Sequence, residues 1–158
     1  IVQVEEELEY IKEYAKIIEF RFMDKIDVEI TADDAALEKP IVKLILQPLV
    51  ENAVFHGLEQ KIEGGEVQVK AKMYDERHLI FTVEDNGCGM KADKLEEVLA
   101  TLESRESTKG VGMANIYQRL RLFYGEKMEF TVESTWGEGT KVTILVPDEV
   151  EDGGVKSV

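Results

Sequence analysis

The chain has 158 residues, 44% of them hydrophobic, which is enough for one domain with a sizeable core. Its formal charge of −14, from 19 basic and 33 acidic residues, runs against nucleic-acid binding, which usually shows as clustered Lys and Arg. A single cysteine, Cys88, excludes an internal disulfide and a cysteine-built zinc site, and no apolar run approaches the roughly 20 residues of a membrane span.

Opening on Ile1, with acidic first residues and no secretory signal, the sequence reads as a soluble, cytoplasmic piece of a longer protein. The first stretch, Val2 to Met23, predicts an amphipathic helix, with Leu8, Ile11, Ala15, Ile18 and Phe22 at spacings of three and four. That stripe serves equally to pack on its own domain or to pair with a second subunit. Asp27 to Thr31 is a short strand signal and Asp33 to Glu38 a polar loop. Pro40 suits the first turn of a second, largely buried helix running to about Phe55 or Gly57. Gly64-Gly65 breaks the chain before two alternating segments, Glu66 to Tyr74 and His78 to Glu84, which predict a hairpin.

Asp85 to Met90 is too glycine-rich for regular structure. Asp93 to Leu102 predicts a short helix, and Glu103 to Gly112 a polar, mobile stretch. Met113 to Tyr124 predicts a helix ended by Gly125. Lys127 to Ser134 and Thr140 to Val146 predict a second hairpin, and an acidic, frayed tail starts at Asp148. The layout is α/β, an antiparallel-rich sheet covered by helices on one face.

Four local patterns carry chemistry. In Leu46-Gln47-Pro48-Leu49-Val50-Glu51-Asn52-Ala53, followed by His56-Gly57, an Asn and a Glu sit inside an apolar helix. Buried polar groups need partners, so the pair either caps a neighbouring loop or, through Asn52, offers a carbonyl oxygen to Mg²⁺. In Asp85-Asn86-Gly87-Cys88-Gly89-Met90 a carboxylate at a strand end precedes two glycines that allow close approach of a flat ligand. Lys109-Gly110-Val111-Gly112-Met113-Ala114-Asn115 opens a helix with free N–H groups and one Lys, the makings of an anion site. Gly137-Glu138-Gly139-Thr140 enters the last strand. Taken singly, an ordinary turn explains the second and fourth patterns at least as well.

Their order and spacing over about Pro40 to Pro147 resemble the asparagine box and three glycine boxes of the GHKL superfamily, which holds gyrase, heat-shock chaperones, histidine kinases and MutL repair proteins. Leu-Gln-Pro-Leu-Val-Glu-Asn-Ala with His-Gly, and Gly-Val-Gly-Met-Ala-Asn-Ile before Arg119-Leu120, resemble the autolysin-sensor type of histidine kinase, with Met113 where Leu is more usual. Glu7-Leu8-Glu9-Tyr10-Ile11, continuing to Arg21-Phe22, is similar to the linker helix after the phosphoacceptor region there.

The resemblance implies an α+β, two-layer sandwich of the Bergerat type, with a mixed, mostly antiparallel sheet. It divides the chain into a linker helix (1–25), an ATP-binding catalytic domain (26–148) and an acidic tail (149–158). It also implies ATP and Mg²⁺ as ligands. Asn52 would be the metal ligand, with Glu51 beside it at the catalytic end. Asp85 would read adenine, and Gly87 and Gly89 with Met90 would wall the adenine side. Gly110 and Gly112 would bend a lid onto the phosphates, with Lys109, Met113 and Asn115 nearby, and Gly139 and Thr140 would support the adenine end. For His56, a phosphate or ribose contact and a structural helix-end role both stand.

The implied reaction is transfer of the ATP γ-phosphate to a histidine on a separate dimerisation domain, for relay to a response regulator. The implied parent is a membrane-anchored sensor, with homodimer contact through the first helix. Superfamily hydrolases carry a water-activating carboxylate one turn before the metal Asn. That position here is Pro48, which disfavours a gyrase- or chaperone-like ATPase. A docking module without catalysis is the other alternative.

Overall fold

The computed structural model describes residues 1–58, 64–103 and 111–149. A two-residue strand β1 (Val2–Gln3) leads into helix α1 (Val4–Arg21). Leu8, Ile11, Ala15 and Ile18 of α1 are buried in the one core cluster, so the inner stripe packs on its own domain. Burying a side chain such as Ile11 or Ile18 contributes about 2–3 kcal/mol. Three glutamates in the first turn and Arg21 in the last suit the helix dipole. Met23 and Asp24, at φ 54° and 62°, then turn the chain out of the helix without a glycine.

Strand β2 (Ile26–Ala32) follows, and then a one-turn helix α2 (Asp34–Leu37) where a polar loop was expected. The turn forms because Ala36 is fully buried and its N–H bonds back to the Asp33 carbonyl. Pro40 does not open a helix. It lies in β3 (Pro40–Ile41), paired antiparallel with β1, and Leu44 at φ 60° bars a helix from running through. Helix α3 (Leu46–Asn52) starts later, so Pro48 is its first-turn proline, where a missing N–H costs nothing. Past Asn52 the helix widens into a π-turn, Ala53–Leu58, a rare form found often at functional sites.

Strands β4 (Gly65–Met73) and β5 (His78–Asp85) form the expected hairpin, and His78 Nδ1 pairs with Asp75 at 2.8 Å across its turn. Helices α4 (Ala92–Leu102) and α5 (Val111–Tyr124) come next, then a 3₁₀ turn (Gly125–Lys127), β6 (Glu129–Thr135) and β7 (Gly139–Pro147). The sheet runs β2-β4-β5-β7-β6, parallel only between β2 and β4. Val67, Val69, Leu79, Phe81, Val83, Val142, Ile144 and Val146 alternate into one face, the helix-covered one.

Two expectations about ends change or fall away. Asp148 is pinned rather than frayed: it is 8% exposed, its N–H donates to the Arg77 carbonyl, and Lys39 Nζ reaches its carboxylate at 2.9 Å. Residues 104–110, where mobility is expected, and 150–158 of the tail lie outside the described residues, while Val111 and Gly112 already belong to α5.

Burial pushes the Tyr124 hydroxyl from 10.0 up to about 12, against a smaller opposing pull from the Val42 backbone. Below pH 10 folded and unfolded chains both hold that proton, so its contribution to stability is complete. Between about pH 10 and 12 only the unfolded chain sheds it, so stability falls as pH rises. Urea midpoints measured from pH 9 to 11.5 should therefore decline, and Tyr124→Phe should make the decline shallower. An unchanged slope in that variant would contradict the assignment.

Candidate functional site

Asp85 ends β5 at an inward position, following Leu79, Phe81 and Val83, and is only 7% exposed. Its neighbours across the sheet are Val67 on one side and Thr140 on the other, and Thr140 in turn pairs with Ser134. One transverse row thus changes from apolar to polar, running Val67, Asp85, Thr140, Ser134. The polar part lies at one end of the helix-covered face.

The hydroxyl pair is closely arranged. Ser134 Oγ donates to the Gly139 carbonyl at 3.0 Å, accepts the Met90 N–H at 2.8 Å and lies 2.8 Å from Thr140 Oγ1. Because the serine proton goes to Gly139, the Thr140 proton goes to Ser134. Thr140 Oγ1 then keeps acceptor capacity.

The glycines earn their place first through contacts within the chain. A Cβ on Gly87 would stand 1.9 Å from the Gly57 carbonyl oxygen, and one on Gly89 2.0 Å from the Thr135 oxygen. Gly139, at φ 127°, would put its Cβ 2.0 Å from the Asp85 oxygen. A Cβ on Gly57 would meet Asp85 Oδ1 at 2.7 Å. Gly87 donates its N–H to Asp85 Oδ1 at 2.8 Å, and Cys88 donates to the Gly57 carbonyl at 2.9 Å. The end of the π-turn, the 85–90 loop and the tip of the last hairpin therefore meet backbone to backbone around Asp85. The sequence motif contains Gly57 without giving it a role, and it does not single out Ser134. The signal for that serine is a hydroxyl at an inward position of an alternating strand.

At the other end of the site, Asn52 closes α3 and is half-buried. Glu51 accepts from Gln47 Nε2 at 3.4 Å, and its charge acts on Tyr14 of α1. Burial first, then Glu51, push that tyrosine up to about 12, while Arg21 works against them. Glu51 thus lies on the α1 side of α3. His56 is exposed, and its carbonyl accepts the Cys88 thiol at 3.5 Å. Met90 and Met113 pack partly buried against the core, and Asn115 is exposed on α5. Lys109 and Gly110 lie outside the described residues.

Among the described residues no three His, Cys, Asp or Glu side chains cluster as a metal cage, and no helix is long and apolar enough to cross a membrane. A hollow of about 170 Å³ flanked by Lys70, Lys72 and Lys141 lies on the opposite, open face of the sheet. It is smaller than the ~300–1,000 Å³ of ordinary ligand pockets.

Residues 37–150 match the family model described as histidine kinase-, DNA gyrase B-, and HSP90-like ATPase. The chain belongs to that family. This histidine-kinase-type ATPase domain is 30% identical over its whole length to Sensor protein LytS of Bacillus cereus, of which it spans 27%. It is 33% identical over 93% of its length to Sensor histidine kinase YesM of Bacillus subtilis, spanning 24% of that protein. The domain thus covers about a quarter of the curated relatives it matches.

Two solved structures share the fold. The histidine kinase domain of the Erythrobacter litoralis EL346 blue-light activated kinase has TM-score 0.65 and 24% identity, over 93% of this chain and 62% of that one. The catalytic domain of histidine kinase ThkA has TM-score 0.65 and 15% identity, over 94% and 96%. The expected α+β sandwich is thereby shown.

Proposed function

We propose that this domain binds ATP with Mg²⁺ and delivers the γ-phosphate to a histidine on a separate helical domain. The observation that carries the reading is the inward polar row at the sheet end. Asp85 is a carboxylate that ends the otherwise apolar inward face of β5, backed by Thr140 and enclosed by backbone at Gly57, Gly87 and Gly139. A flat base with an exocyclic amine suits such a slot, the amine donating to Asp85 and a ring nitrogen reaching Thr140 through water.

The donor set fits Mg²⁺. Mg²⁺ takes few protein oxygens beside phosphates and water, and Asn52 offers a carbonyl oxygen; among the described residues no group of three His, Cys, Asp or Glu forms a rival cage. When bound, the ion would neutralise phosphate charge. Asn52 would hold that ion, while Glu51 packs against α1. The first-turn N–H groups of α5 would receive phosphate oxygens. Gly110, Lys109 and Asn115 would complete the lid, and His56 would contact ribose or phosphate from its exposed position.

Catalysis is then positioning and charge stabilisation: an imidazole nitrogen of the acceptor attacks the γ-phosphorus and ADP leaves. Pro48 stands where a hydrolase would hold its water-activating carboxylate. Of the two histidines, His56 is on a solvent-facing π-turn and His78 is paired with Asp75, so neither presents a helix-face acceptor. The outer side of α1, with Tyr10, Ile17 and Phe20 exposed, supports pairing with the helices of the dimerisation domain. A response regulator would take the phosphoryl group onward.

A longer chain that includes the upstream histidine should form acid-labile, alkali-stable phosphohistidine from ATP. Asn52→Ala should slow this by about 100-fold, a loss of ~2.7 kcal/mol. Free phosphate as the main product would favour hydrolysis instead, and no reaction in a nucleotide-binding chain would favour the docking module.

A further inference from the structure

The amino end of α3 is held by a residue far away in sequence. Glu7 is 1% exposed, although it belongs to an acidic run at the start of a surface helix. Its Oε1 accepts the Leu44 N–H at 2.6 Å, and its Oε2 accepts those of Ile45 and Leu46 at 3.2 and 3.3 Å. These amides lead into α3, so the carboxylate of one helix caps the next across 37 to 39 residues. Burying a carboxylate is costly unless it is multiply hydrogen-bonded, and here both oxygens are engaged.

The same turn is gripped on its carbonyl side. Arg119 of α5 donates Nη1 to the Leu44 carbonyl at 2.8 Å and Nη2 to that of Lys43. Between the two grips lies Leu44 at φ 60°, a left-handed conformation that a leucine keeps only when its surroundings over-determine it. Six residues after Leu46 along the same helix stands Asn52.

We propose that Glu7 is a positioning residue for the nucleotide site. By holding the Leu44 turn and the start of α3, it sets where Asn52 stands, and so makes metal-dependent nucleotide binding depend on the seating of α1. The inference rests on the reading of Asn52 as the metal-side ligand. Arg119 is the matching grip from α5, so α1, α3 and α5 meet at one strained turn. A displacement of α1 by whatever adjoins it would reach Asn52 through hydrogen bonds to a helix end, without crossing the hydrophobic core.

Two measurements on this chain test the proposal. In the ligand-free protein, Glu7→Gln replaces one acceptor oxygen with a carboxamide NH₂, a donor that cannot accept from the backbone amides. Amide hydrogen exchange should quicken at least tenfold from Leu44 to Asn52 while the β4, β5 and β7 amides keep their parent rates. In titrations with ADP, Glu7→Gln should lose about tenfold in affinity with Mg²⁺ present and less than twofold in EDTA. Glu7→Asp, whose shorter side chain keeps the charge, should fall between. Arg119→Gln should reproduce the same Mg²⁺-selective loss. Equal losses with and without Mg²⁺, or unchanged exchange in α3, would overturn the positioning role. A parent chain that gains nothing from Mg²⁺ would overturn the reading of Asn52, and the proposal with it, whatever the exchange data show.

Discussion

Gly87→Ala should lower the melting temperature by about 10 °C and damage the candidate site with it. The added methyl would sit 1.9 Å from the Gly57 carbonyl oxygen, and the neighbouring atoms are backbone, which cannot rotate away. The loop must shift and lose the 2.9 Å bond from Cys88 N–H to Gly57. Overpacking of this kind costs about 1–3 kcal/mol and a lost buried hydrogen bond about 1 more. At ~2–4 °C per kcal/mol for a domain of this size, the sum gives the stated fall. Gly139→Ala adds a positive φ to an equally hard contact and should do at least as much. Gly137→Ala is the control: it has a positive φ but no atom within 4 Å, so it should cost only about 1 kcal/mol. Thermal melts of the three variants check the ranking. Equal effects at Gly87 and Gly137 would show that close packing around Gly57 is not what these glycines serve.

Asp85→Asn should weaken adenine-nucleotide binding by roughly 100-fold while leaving the fold in place. The asparagine oxygen can still accept the Gly87 N–H now received at 2.8 Å, so the loop keeps its anchor. The other terminal atom changes from acceptor to donor and opposes the exocyclic amine of the base. A hydrogen bond to a charged group contributes about 1.5–3 kcal/mol, so affinity should fall by roughly 100-fold. Calorimetric titration together with circular dichroism reads both parts. Parent-like affinity in the variant would remove Asp85 from the binding site. A joint loss of fold and binding would make it a structural residue only.

The parts of the molecule that sequence makes visible are those whose cause is local. Alternation places β4 and β5 within a residue or two of their ends, because each strand has one buried face. The motif residues Asp85, Gly87, Gly139 and Thr140 do converge, since β5 and β7 are neighbours and pair Asp85 with Thr140. The parts that local rules misplace depend on contacts distant in sequence. Pro40 and Pro48 are equally good first-turn residues by local rules. Only the pairing of β3 with β1, and the carboxylate arriving from α1, decide that the helix begins at Leu46. Glu7 stands in a run of three glutamates; its spacing of three from Val4 and four from Ile11 sets it on the inner stripe, but the amides it meets there, 37 to 39 residues on, leave no local trace. The glycines were legible as necessary but not as to why: their nearest constraints are the chain's own carbonyls, brought together by three separated segments.

The most direct test of the account is base selectivity in this chain. With Mg²⁺ present, a non-hydrolysable ATP analogue should saturate the protein, and the GTP analogue should bind at least ~10-fold more weakly. Guanine sets a carbonyl, an acceptor, where adenine offers an amine to the Asp85 carboxylate. Equal affinity for the two analogues, or no binding of either by well-folded protein, would contradict the account.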